Sequence, residues 1–209
     1  MKTSKNVNRL VKISLLVAMA FILMLFEFPI PGFPPFLKLD FSDLPALIGG
    51  FALGPVAGVI IEGGKVILNL VFHGSYTGGV GELANFLVGG SFVFVASYIY
   101  HKNKTKKNAI IGLIIGTIVM TIVGALLNYY ILIPLYATIM GGMSNVIGFS
   151  AEGNSNIGSL VGIIVLGITP FNIIKGAIVS LITFVSYKRI SPLISRENIL
   201  AEQAIKKGA

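Results

Sequence analysis

The chain has no cysteine, only two histidines and only eight acidic residues in 209. Without cysteine there is no disulfide framework, no thiolate metal site and no cysteine nucleophile. The two histidines, His73 and His101, fall in separate expected loops, so no pair at helical spacing is offered to a metal. A nucleotide-binding loop needs a glycine, four residues and then Gly-Lys-Ser/Thr. Here Gly64 and Lys65 are followed by Val66, and valine stands at position 59, so that motif fails. A nucleophile elbow is also missing. The residues supply no visible catalytic machinery and no motor, and the expectation is a protein that is not an enzyme. Charge is scarce as well, at 11% of residues against roughly 25% in soluble domains. With 55% hydrophobic residues and a mean hydropathy of +0.89, the composition is that of an integral membrane protein. The formal charge of +8 sits at the ends of apolar runs, which suits orientation in a bilayer better than nucleic-acid binding.

The apolar runs predict one all-α membrane domain over residues 1–209. Six transmembrane helices are expected, at about 10–28, 43–60, 62–75, 82–100, 109–138 and 157–187. The basic front and first apolar run resemble a signal peptide, but the run continues past Ala18, Met19 and Ala20, so it is read as a retained span. PIPGFPP at 29–35 forbids helix and predicts a stiff extended loop. Glu62, Gly63 and Gly64 are read as a short break, and the apolar part of the third span, 65–73, looks too short to cross alone. The segment 139–156, rich in Gly, Ser and Asn, is expected to be a loop. With the N-terminus inside, the basic residues of the front, the 102–107 loop and the tail (Lys188, Arg189, Arg196, Lys206, Lys207) all fall on the cytoplasmic side, as does Lys65 in the second turn-round. Only Lys38 falls in an outer loop. The positive-inside rule then places both termini in the cytoplasm, which an even number of spans requires.

The stretch LKLDFSDLPALIGGFALGPVAG at 37–58 organises the chain. Lys38, Asp40, Ser42 and Asp43 crowd its start, and Ala46, Gly50, Gly54 and Gly58 then recur at every fourth position, as one close-packing helix face would have them. Ser42 or Asp43 is expected to cap the helix, with Pro45 in its first turn. Asp40 and Asp43 read as a cap and a salt bridge to Lys38, or as ligand contacts. Other polar groups converge towards the same side. Glu82 and Asn85 share a face of span four, Asn128 lies inside span five, and Asn172 and Lys175 share a face of span six after the Thr169-Pro170 break. A lysine near mid-bilayer costs about 2.5–3.5 kcal/mol and is expected to face a cavity or a partner unless it snorkels. The asparagines suit either interhelical bonds or a solute with amide-like edges. Tyr129, Tyr130 and Tyr136 read as stacking groups or as interfacial anchors. The set favours a neutral, polar, aromatic solute over a phosphate.

Four blocks, LKLDFSDLPALIGGFALGPVAG, GELANFLVGGSFV at 81–93, ALLNYYILIPLY at 125–136 and ITPFNIIKGAIVS at 168–180, resemble, in order, the riboflavin-specific S component of energy-coupling factor vitamin transporters. The resemblance implies a bacterial-type, multi-pass subunit of the cell membrane that captures riboflavin from outside, with no further cofactor. Its site is formed by the first loop and spans four to six. On this resemblance the contact residues are Asp40, Phe41, Asp43, Glu82, Asn85, Asn128, Tyr129, Asn172 and Lys175. It also implies a transmembrane coupling subunit and two cytoplasmic ATPases as partners, docked through small residues four apart on the first span. Here those positions are Ser14 and Ala18, where the family pattern has two alanines. The alternative is a stand-alone secondary carrier of a small aromatic solute, with Lys175 and Glu82 as a proton relay.

Overall fold

The computed structural model describes residues 2–75 and 77–186. The end of the sixth expected span at 187 and the basic tail lie outside the described residues. The described chain is almost wholly helical: α1 (Lys2–Met24), α2 (Asp43–Leu53), α3 (Pro55–Phe72), α4 (Val80–Lys102), α5 (Lys106–Ile139), α6 (Met143–Gly153) and α7 (Leu160–Ser186). Five stretches within these, Asn6–Met24, α3, α4, α5 and α7, are long and apolar enough to cross a bilayer, whereas α2 has 11 residues. The PIPGFPP segment forms the turn of a minimal antiparallel ladder, β1 (Phe28–Pro29) against β2 (Lys38–Leu39). The first helix therefore stops at Met24, short of the expected 28.

Three other expectations are corrected. The break in the second apolar run falls at Gly54, not at Glu62-Gly63-Gly64. Gly54 has φ +110°, a conformation open to glycine, and Pro55 at the next helix start cannot continue the preceding one. The row of small residues is consequently folded back on itself. Gly58 of α3 faces the backbone of Gly50 and Ala46 of α2, with Val93 of α4 closing the contact. Gly63 and Gly64 lie inside α3; the side chain of Val17 on α1 sits where a Cβ on Gly64 would go. Second, Ser42 stands at the N-cap of α2 without a side-chain capping bond. Its hydroxyl is engaged elsewhere, as described below. Third, the expected loop 139–156 contains α6.

Both long outer helices widen ahead of a proline. π-helical turns span Asn128–Leu132, just before Pro134, and Ile163–Ile168, just before Pro170. A proline offers no N–H to the carbonyl four residues back, and a π turn absorbs the mismatch. Two apolar cores result. One surrounds Phe92, Val93 and Ala96 of α4 and includes Leu47, Ile61, Leu113, Met120 and Val179. The other joins Val80, Leu132, Ile133, Tyr136, Val146, Ile157 and Ile168. The end of α2 is held at the level of the basic ends of α1 and α4. Arg9 donates to the Leu53 carbonyl, and the His101 ring nitrogen meets the Gly50 and Phe51 carbonyls.

Candidate functional site

The loop between α1 and α2 enters the bundle. Lys38 pairs with Glu27 at 2.5 Å, not with Asp40 or Asp43 as the sequence suggested. Asp40, Ser42 and Asp43 are buried and meet two buried lysines. Lys175 of α7 donates to Asp40 Oδ2 at 2.9 Å and lies 3.3 Å from Asp43 Oδ2. Lys65 of α3 donates to Asp43 Oδ1 at 2.5 Å and Ser42 Oγ at 2.6 Å, and lies 2.7 Å from Glu62 Oε2. The Ser42 hydroxyl donates in turn to Asp40 Oδ1, which also accepts the Ser42 N–H at 2.8 Å. Lys65, Ser42, Asp40, Lys175 and Asp43 thus close a ring of hydrogen bonds and ion pairs joining three elements. Isolated charges so deep would cost several kcal/mol each, which is why each ammonium here lies against two carboxylates. Gly89 of α4 leaves the space, since a Cβ there would stand 3.0 Å from Glu62 Oε2 and 3.3 Å from Asp43 Oδ1.

Between the two cores lies a cavity of about 110 Å³ with this ring at one wall. Asp43 and Lys175 line it, as do Asn85 and Val88 of α4, Met120, Asn128 and Tyr136 of α5, Ile168, Phe171 and Asn172 of α7, and Phe36 and Lys38 of the loop. A second cavity of about 420 Å³ adjoins it, sharing Phe36, Lys38, Gly81, Asn85 and Tyr136. Its other walls include Glu27, Asn69, His73, Thr77, Glu82, Val146 and Phe149. Ligand pockets commonly fall between about 300 and 1,000 Å³, so the joined space is of solute size. The aromatic roof is organised by Phe36, whose ring centroid lies 5.5 Å from that of Tyr136 and 6.4 Å from that of Phe149. Gly153 of α6 meets the backbone of Phe33, where no side chain would fit.

The donors and acceptors around the inner cavity are mixed. Asn128 donates to the Gly124 carbonyl at 2.8 Å, which orients its amide. Gly124 leaves room for the Asn172 amide, which a Cβ there would displace. The Asn85 side-chain oxygen is buried without a hydrogen-bond partner, so it is an acceptor waiting for a donor.

Of the residues expected at the site, Asp43, Asn85, Asn128, Asn172 and Lys175 line the inner cavity and Glu82 the outer one. Glu82 accepts from Ser75 at 2.7 Å and Thr77 at 3.3 Å. Its partners differ from those of Lys175. Asp40 supports Lys175 from behind the cavity wall. Phe41 and Tyr129 line neither cavity; Tyr129 is exposed and edge-on to Tyr130. Ser14 and Ala18 lie exposed on α1 beside Leu15 and Met19. Sequence reasoning missed Glu62 and Lys65, read as part of a turn, and so placed Lys65 on the cytoplasmic side instead of inside the bundle. The available signal was two opposite charges three positions apart within an apolar stretch. Phe36 and Phe149 carried no such signal.

The chain matches the family described as ECF transporter, substrate-specific component, over residues 8–187. It is 46% identical over 189 residues to the riboflavin transporter RibU of Staphylococcus aureus, covering 90% of this chain and 93% of that one. It is 36% identical to the riboflavin transporter FmnP of Bacillus subtilis, covering 92% and 96%. A solved structure titled as the S component of a bacterial ECF transporter superposes with a TM-score of 0.71 at 43% identity, covering 90% of this chain and 98% of that chain.

Proposed function

The chain belongs to the family of ECF transporter substrate-specific components, and we propose that it is the membrane subunit that captures riboflavin for such a transporter. The observation that carries this is the cavity where three asparagine amides and the Lys175 ammonium converge under an aromatic roof, in a chain with riboflavin-transporter relatives along nine-tenths of its length. Riboflavin presents a flat ring with a ring N–H and carbonyls at one edge and a hydroxylated chain. Asn85 Oδ1 suits the ring N–H, and Asn128, Asn172 and Lys175 suit the carbonyls and hydroxyls. Titration of the purified protein with riboflavin, followed by quenching of flavin fluorescence, tests this against a panel of other vitamins. Tight, saturable binding of riboflavin over the others is the expected result, and equal or absent binding would end the reading.

The chain crosses the bilayer six times with both termini cytoplasmic. The 11 residues of α2 span about 16 Å, half of the ~30 Å hydrocarbon core, and the loop that dips inward to Asp40 completes that crossing. The attachment of α2 to Arg9 and His101, at the basic ends of α1 and α4, supports this path. Because the native chain has no cysteine, single introduced cysteines in the 102–107 loop and in α6 test it; labelling of both from the same side would refute it. The exposed face of α1 around Ser14 and Ala18 is where the transmembrane coupling subunit docks, and two cytoplasmic ATPases drive the assembly. Co-purification of that module, lost on Ala18→Arg, tests the docking face.

A further inference from the structure

Lys65 is completely buried and lines neither cavity; its ammonium donates to Ser42 Oγ and Asp43 Oδ1 and is ion-paired with Glu62 Oε2. Enclosed by these groups and away from both cavities, it has no access to a solute. Lys175 is built differently. It donates to Asp40 Oδ2 and is ion-paired with Asp43 Oδ2, and its side chain lines the inner cavity. Each carboxylate that holds Lys175 is itself oriented by Lys65. Asp43 uses one oxygen for each lysine, and Asp40 is reached through the Ser42 hydroxyl. The same residues anchor the inner end of the loop that carries Phe36 and Lys38 over both cavities.

We propose that Lys65 is a positioning residue for solute capture: acting through Asp43 and the Ser42–Asp40 arm, it aims the Lys175 ammonium into the cavity and pins the covering loop to α3 and α7. A site group must be held to within about 0.5 Å to bind well, and the ring supplies that restraint from outside the cavity. The proposal rests on the reading of this cavity as the riboflavin site.

The test is a double-mutant cycle on the full chain in detergent, with riboflavin dissociation constants measured by fluorescence quenching. Lys65→Met should raise the dissociation constant at least tenfold. In an Asp40→Asn/Lys175→Met background, which removes Lys175 together with one of its carboxylates, the same change should add less than threefold, because Lys65 works through Lys175. A merely structural lysine would lower the fraction of folded protein, leaving the affinity of that fraction unchanged, or would act equally in both backgrounds; either result overturns the proposal. Should Lys65→Met fail to fold, Glu62→Met/Lys65→Met removes the lysine together with the carboxyl group it faces, a paired replacement that buried ion pairs often tolerate. This variant should show the same tenfold loss, and wild-type affinity in it would overturn the proposal. Absence of riboflavin binding by the unmodified chain would remove the site reading itself, an outcome distinct from all of these.

Discussion

Replacing Lys175 by methionine should cost the ligand-free protein about 3–5 kcal/mol of stability, the range for removing one partner of a buried ion pair. The structure explains why the upper half of that range applies. The lysine side chain is 10% exposed and its two aspartates 2% and 0%, so both carboxylates would be left almost wholly out of solvent. Asp40 Oδ2 would lose the 2.9 Å bond from Lys175, its one hydrogen bond among the described contacts, while Oδ1 would keep Ser42. Asp43 would keep Lys65 on one oxygen only. A loss of this size is a large share of the 5–15 kcal/mol that a folded domain usually has. The second variant is Asp40→Asn/Lys175→Met, which removes the stranded charge together with its partner. It should recover more than 1 kcal/mol of the loss, a coupling within the usual range for contacting residues. The assay is unfolding of the purified protein in detergent without riboflavin, since bound ligand would add its own stabilisation. If Lys175→Met unfolds with the wild-type midpoint, or if the double variant is no more stable than the single, the ion pair does not hold the loop in place.

Asn85→Ala should weaken riboflavin binding by about 1–3 kcal/mol, the cost of an unmade buried hydrogen bond, while leaving the ligand-free protein no less stable because its side-chain oxygen has no partner to lose; titration and thermal unfolding read the two effects separately. Gly89→Ala should destabilise by about 1–3 kcal/mol through overpacking against Glu62 and Asp43, measured by the same unfolding assay. Gly153→Ala should displace the loop at Phe33 and speed riboflavin release in stopped-flow fluorescence. Tyr129→Ala should leave the dissociation constant within twofold of wild type, because the ring is exposed and outside both cavities.

Hydropathy and charge were enough for the helical membrane class, and the apolar runs expected at 82–100, 109–138 and 157–187 overlap α4, α5 and α7. These features are written locally: crossing hydrocarbon demands a long apolar run whatever it packs against. The same logic singled out Lys175, since an ammonium placed there must find a partner. It did not identify the partner. Lys38 looked like the mate of Asp40 and Asp43 because it is their neighbour in sequence, but Glu27 takes it, and lysines 22 and 135 positions away take the aspartates. Gly63 and Gly64 looked like a break because glycine favours turns, yet both lie inside α3, where Gly64 lets Val17 of α1 pack close. Hydropathy along the chain thus marked most of the segments long enough to enter a bilayer and, among the buried polar groups, Lys175 but not Glu62 or Lys65. Only the tertiary structure decided how those groups pair, because a buried charge takes the partner that the packed helices bring within reach, and sequence distance has no bearing on that.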